Sequence, residues 1–280
     1  MAATLSSPIR SGPSATEVVG AVAEPVARRA QDTVRAAASA ADRAARIADA
    51  GTVSRWGAIA RGRRARAVAV GSLAGFGGLF GLVRARRSEA FDLAITLRLQ
   101  RRRRPWLDAT MAAVSWPGFP PQSRLIPPAV IAALWLVRLR TEAAFETAAW
   151  GTALVSTGVK KLMDRPRPVA GTDLRVVTAP LGGTSFPSGH VLTFIGVYGF
   201  LAWLAWTLIR DPALRGTSTA GLLALLALVG PSRVYQGHHW PTDVTASYLV
   251  GTAYLLGVIA LYERTKAAEA SRDPVAAITG

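Results

Sequence analysis

Residues 186–210 read FPSGHVLTFIGVYGFLAWLAWTLIR. From Val191 to Ile209 the segment holds 19 residues without a charge, closed by Arg210. A membrane-spanning helix needs about 20 mainly apolar residues. The stretch therefore reads as a transmembrane helix rather than a core strand. The turn before it is polar and breaks the apolar run. Ser188 stands where a helix N-cap stands, and Gly189 lets backbone come close to a ligand.

Working outward, five more windows share this character. Ala67–Val83 and Val244–Tyr262 are charge-free over 17 and 19 residues. Leu125–Val137 carries Pro127 and Pro128, Ala143–Val159 is interrupted by Glu146, and Thr217–Ser232 spans 16 residues. Each is apolar around most of its circumference, which excludes the strands of an α/β fold. The expected fold class is all-α, a polytopic membrane helical bundle with about six transmembrane helices. The second and third spans are joined by five residues, so they must be antiparallel neighbours. Leu107, Met111 and Val114 give Trp106–Trp116 the spacing of an amphipathic helix at the interface.

The chain has 280 residues, 33 Lys and Arg against 17 Asp and Glu, and a net charge of +16, yet half of it is hydrophobic. Mean hydropathy is +0.27. Charge and apolar residues must therefore be segregated. Residues 1–66 and 84–104 each carry +6, one on either side of the first span. Neither interleaves its arginines with aromatic stacking partners, so no nucleic acid is expected. They read as anchors for anionic membrane lipids, roughly 1 kcal/mol per basic residue. Residues 1–60 form an Ala/Arg-rich tail, flexible or loosely helical, with Ala27–Arg46 its best helical stretch. The tail lacks the apolar run and cleavage site of a signal peptide. The six-span domain covers 61–265, with a second tail over 266–280.

There is no cysteine, which removes disulfides, thiol nucleophiles, Cys-ligated zinc and iron–sulfur clusters. All three histidines, His190, His238 and His239, lie in two loops and the helix ends beside them. In an alternating six-span topology those loops share one side. Lys160, Arg167 and Arg233 are cations without matching acids, an arrangement suited to an anion and above all to phosphate. Ser188 and Gly189 would add a helix N-terminus aimed at the same anion. His239 and Asp243 are spaced i, i+4, so Asp243 can fix the imidazole tautomer and leave the other nitrogen as a nucleophile. His190, from the other loop, is free to be the general acid. His238, beside His239, reads as structural. Asp164 and Asp173 are the only other acids in these loops, too few for a two-metal centre.

Lys160-x6-Arg167-Pro168, Pro187-Ser188-Gly189-His190 and Ser232-Arg233-x5-His239-x3-Asp243 resemble the three motifs of the type 2 phosphatidic acid phosphatase family, which shares its site with vanadium-dependent haloperoxidases. The resemblance covers residues 90–262. It implies a metal-independent phosphatase with no cofactor. His239 would attack phosphorus and form a phosphohistidine, Asp243 would orient it, and His190 would protonate the leaving oxygen. Lys160, Arg167, Ser188, Gly189 and Arg233 would bind the phosphoryl oxygens.

A cationic pocket at helix ends favours an amphiphilic substrate, a lipid phosphate monoester or a polyprenyl diphosphate. Two other readings compete: a vanadate-dependent haloperoxidase, against which the apolar spans argue, and a catalytically silent lipid-binding protein, against which the intact motifs argue. With the N-terminus inside, cytoplasmic segments hold 18 basic residues and the site side 15, three of them assigned to the site. That tilt, with the resemblance, places the site on the extracytoplasmic side of the cell membrane. The run Arg101–Arg104 opposes it.

Overall fold

The computed structural model describes residues 55–102, 104–170, 174–176 and 182–272. Residues 1–54 of the N-terminal tail, with its expected helix at 27–46, and Asp173 lie outside the described residues, while 55–60 belong to the first helix. Among the described residues the regular structure is helical, with no strand. In chain order the helices are α1 (Arg55–Arg84), α2 (Glu89–Gln100), α3 (Pro105–Ser115), α4 (Gln122–Leu136), α5 (Arg140–Trp150), α6 (Thr152–Leu162), α7 (Gly189–Leu208), α8 (Pro212–Tyr235) and α9 (Pro241–Arg272). A single 3-10 turn, Trp116–Gly118, joins α3 to α4.

All six apolar windows are helical. Four helical stretches are long and apolar enough to cross a membrane: Gly62–Arg84, Gly189–Leu208, Pro212–Tyr235 and Pro241–Glu269. The chain is a membrane protein. The second window falls in α4, and the third divides at Gly151 into α5 and α6. At that break the Tyr254 hydroxyl of α9 donates to the Ala148 carbonyl at 2.8 Å, so the exposed carbonyl finds a partner. Helices α4 and α5 pack together, as their short connection requires.

Local chemistry sets the helix starts. Asp211 caps α8 by accepting from the Leu214 N–H at 2.7 Å, with Pro212 at the first helical position. Pro105 opens α3 in the same way. Helix α7 forms the centre, packed on α5, α6, α8 and α9. Its Val191, Phe194, Val197 and Phe200 are fully buried. Gly196 allows the closest approach: a Cβ there would lie 2.2 Å from the Ala149 carbonyl oxygen. Helix α1 packs along α9 and leaves Val68, Val70 and Leu73 exposed, as a lipid-facing helix would.

Helix α2 was hidden within the basic run 84–104. Its sides are reversed relative to a helix of a water-soluble protein. Asp92, Thr96 and Gln100 are buried against the bundle, with Ser88 one turn before them. Phe91, Leu93, Ile95 and Leu99 face outward. In water this arrangement would be unfavourable; against lipid it buries apolar surface on one side and hydrogen bonds on the other.

Candidate active site

The described parts of the connection between α6 and α7 (163–170, 174–176 and 182–188) and the turn 236–240 between α8 and α9 meet over the N-termini of α7 and α9, so the motif residues in them share one end. The Arg167 Nη1 atom lies 3.1 Å from His239 Nε2 and donates to the His238 carbonyl at 2.7 Å. His239 Nδ1 lies 2.7 Å from the Ser185 carbonyl. A carbonyl can only accept, so Nδ1 carries the proton and Nε2 holds the lone pair, which accepts from Arg167 Nη1.

His239 is buried. Burial, followed by the charges of Arg167, Arg233 and Lys160, holds its pKa well below the usual 6.5, against a smaller opposite effect of the Ser185 carbonyl. At neutral pH the ring is therefore uncharged, the form a nucleophile requires.

Asp243 sits in the first turn of α9. One oxygen accepts from the Trp240 backbone N–H at 2.9 Å, closing the helix start in the manner of a capping box. The other accepts from Arg165 Nη1 at 2.5 Å. The carboxylate stands 3.7 Å from His239 Nδ1, so it faces the ring electrostatically while Ser185 takes the hydrogen bond. The i, i+4 spacing brought the two residues together; a backbone acceptor, independent of residue type, could not be read from it.

Ser188 caps α7 with extended backbone and no side-chain cap bond. Its backbone N–H donates to Ser247 Oγ at 2.8 Å, and Ser247 donates onward to the Asp243 carbonyl at 2.7 Å. The starts of α7 and α9 are thereby tied together. The Ser188 hydroxyl, His190 Nε2 and Arg233 Nε are buried without a hydrogen bond. Gly189 follows at the first turn of α7.

Phe119 joins the remaining groups. Its ring lies edge-on to His190 at 4.8 Å and to His238 at 5.8 Å, and the Arg233 guanidinium sits 4.7 Å over it. Gly118 beside it is fully enclosed by His190: a Cβ would come within 2.2 Å of the ring. Arg233 is completely buried, donates to Gln236 Oε1 at 2.9 Å and contacts His238 Nδ1. Burial and the neighbouring Arg233 push the His238 pKa down to about 3, so that ring stays neutral and serves as a partner of Arg233.

Lys160 reaches the Thr184 carbonyl at 3.3 Å, as does Arg167 Nη2. Burial, then the nearby Arg167, lowers the Lys160 pKa, with Asp243 opposing. Three cations packed this closely form a strongly electropositive pocket. Among the described residues no three His, Cys, Asp or Glu side chains cluster as metal ligands.

Two buried residues, Arg165 and Asp92, were missed by sequence reasoning. Asp92 accepts from the Thr242 N–H at 2.9 Å and hydroxyl at 2.8 Å, and from Arg165 at 2.5 Å. The available signal was the Ser88, Asp92, Thr96, Gln100 repeat of four, a polar stripe at helical spacing.

Comparison with known proteins places the chain among membrane phosphatases. The model of the PAP2 superfamily matches residues 142–267. Phosphatidylglycerophosphatase B of Bacillus subtilis (strain 168) is 31% identical over 176 residues, covering 59% of this chain and 79% of the relative. The crystal structure of a transmembrane PAP2 type phosphatidylglycerolphosphate phosphatase from Bacillus subtilis shares the fold. Its TM-score is 0.62 at 23% identity, over 70% of this chain and 96% of that one.

Proposed function

We propose, from the premise that this chain belongs to the PAP2 superfamily, that it is a membrane lipid phosphatase working through a phosphohistidine on His239 without a metal. The observation that carries the reading is the state of His239: uncharged, Nδ1–H donating to Ser185, and Nε2 facing Arg167 in a pocket of cations.

In this reading Nε2 attacks phosphorus and the bond to the leaving oxygen breaks. His190 gives that oxygen its proton. Water then attacks the phosphohistidine, His190 takes the proton back, and phosphate departs. Lys160, Arg167 and Arg233, with the Ser188 hydroxyl and Gly189 N–H, meet the charge on the phosphoryl oxygens in place of a metal. The Bacillus relative is named for phosphatidylglycerophosphate. That lipid is the first substrate to try, with phosphatidate and polyprenyl diphosphates beside it.

Purified protein should release phosphate from one of these lipids, unaffected by EDTA, and form an acid-labile phosphoenzyme that His239→Ala abolishes. Release of no phosphate from any of them would overturn the lipid phosphatase. Full activity in His239→Ala would overturn the nucleophile, and loss in EDTA the metal-free step. We place the site on the extracytoplasmic face of the cell membrane. In this cysteine-free chain Gly182→Cys provides a single thiol, and labelling it in intact cells with an impermeant reagent tests the side.

A further inference from the structure

Beyond the fixed positions of the three motifs, one buried network reaches the nucleophile through Arg165, which stands between Lys160 and Arg167. Arg165 is nearly enclosed, and its guanidinium joins two buried carboxylates: Nη1 to Asp243 and Nη2 to Asp92, each at 2.5 Å. Nη1 also meets Thr242 Oγ at 2.8 Å, and Nη2 meets Ser88 Oγ at 3.3 Å. The Trp240 ring closes the remaining side, 5.8 Å from the guanidinium carbon. A buried ion pair repays its desolvation only when geometry and hydrogen bonds are nearly complete, as they are here.

The same residue holds both groups that flank His239 Nδ1. Its guanidinium fixes Asp243, and its carbonyl accepts from the Ser185 N–H at 2.8 Å, which aims the Ser185 carbonyl at the imidazole. Asp92 supplies the outer anchor. It belongs to α2, the helix whose polar side faces the bundle, and its carboxylate also holds the first turn of α9 through the Thr242 N–H.

We propose that Asp92 and Arg165 are positioning residues for the reaction: a carboxylate–guanidinium–carboxylate chain that fixes Asp243, and through it His239, from the reversed helix α2. Its side chains make no hydrogen bond to Lys160, Arg167 or Arg233, and it reaches Lys160 and Arg167 only through the charge of Asp243, so its main effect falls on the chemical step. It rests on the phosphatase reading above.

The test compares full-length wild type with Asp92→Asn and Arg165→Lys. Asp92→Asn keeps the shape and removes the outer charge. Arg165→Lys keeps the charge but can reach only one carboxylate. Displacing a reacting group by about 1 Å costs ~10²-fold. Loss of kcat approaching that size is expected in Asp92→Asn, with KM unchanged. Arg165→Ala should lose more than Arg165→Lys.

Activity is read beside the ¹⁵N signal of His239 in protein with labelled histidine, assigned by its loss in His239→Ala. The His239 signal should shift in both Asp92→Asn and Arg165→Lys while the protein keeps its fold. An unshifted signal, unchanged kcat, or a loss confined to KM overturns the positioning role. If Arg165→Ala fails to fold, Asp92→Asn still decides. Wild type that releases no phosphate, with the shift present, overturns the phosphatase reading alone.

Discussion

Asp92 and Asp243 at the site end of the bundle, and Glu146 on α5, are equally inaccessible, but their surroundings differ. Every oxygen of the first two accepts a hydrogen bond, and one arginine joins them. Neither oxygen of Glu146 has a partner. Helix α7 gives the relative depth. Its Gly189 lies beside Ser156 and its Gly196 beside Ala149, so Glu146 is further from the site than either. One helical turn before it, Glu142 does have a partner: the Tyr262 hydroxyl donates to it at 2.6 Å. Buried acids at the site are held in place by a network; the acid deep in the bundle is not. Burial alone does not mark a group as functional, whereas complete pairing around a reactive atom does.

The strongest way to break this comparison is to remove Asp243. Asp243→Ala leaves Arg165 facing a single carboxylate and takes away the group behind His239. A loss of kcat on the order of 10³–10⁴-fold is expected, as for other orienting carboxylates, measured on lipid phosphate in detergent. A loss below tenfold would make the network ornamental.

The second test moves the acid instead. Gly118→Ala drives a methyl group into the His190 ring. About 10²-fold lower kcat is expected, with phosphate release as the readout and circular dichroism to confirm the fold. The third addresses the unpaired acid. Glu146→Leu should leave kcat unchanged and raise stability by about 1–3 kcal/mol, since a buried polar group without a partner costs that much. Thermal unfolding in detergent would show it.

The smallest effect concerns pH. The pKa values of His238 and His239 are held below 6.5 by burial and by their arginines. Below pH 6.5 the unfolded chain therefore binds protons that the folded chain refuses. Stability from these rings is complete above pH 6.5 and declines as pH falls toward about 3. Tm measured between pH 7 and pH 4 should fall steadily, and less so in a His238→Asn variant.

Much of this molecule was legible in advance because its decisive signals are linear. Apolar runs such as Val191–Ile209 reveal a helix without knowledge of its neighbours. The motif residues sit at loop ends that topology must bring to one side. What escaped depends on partners distant in sequence. Arg165 looked like one more arginine in a basic loop; its meaning comes from Asp92, 73 positions earlier. Counting charge over 84–104 concealed the periodicity of α2, because its apolar side faces away from the protein. The break at Gly151 was hidden within an apolar run, since hydropathy does not register a turn.

The start of α7 has a consequence for what binds there. Ser188 occupies the capping position yet withholds its hydroxyl from the helix, and His190 Nε2 and Arg233 Nε are likewise without partners. The proposed reaction assigns these groups to the phosphoryl and leaving oxygens, and a bound oxyanion would give them hydrogen-bond acceptors. Such a guest is then the last piece of the fold as much as a reactant. Inert mimics of the transition state, vanadate among them, should behave as pharmacological chaperones for this protein, tightening the helix start that the chain leaves open.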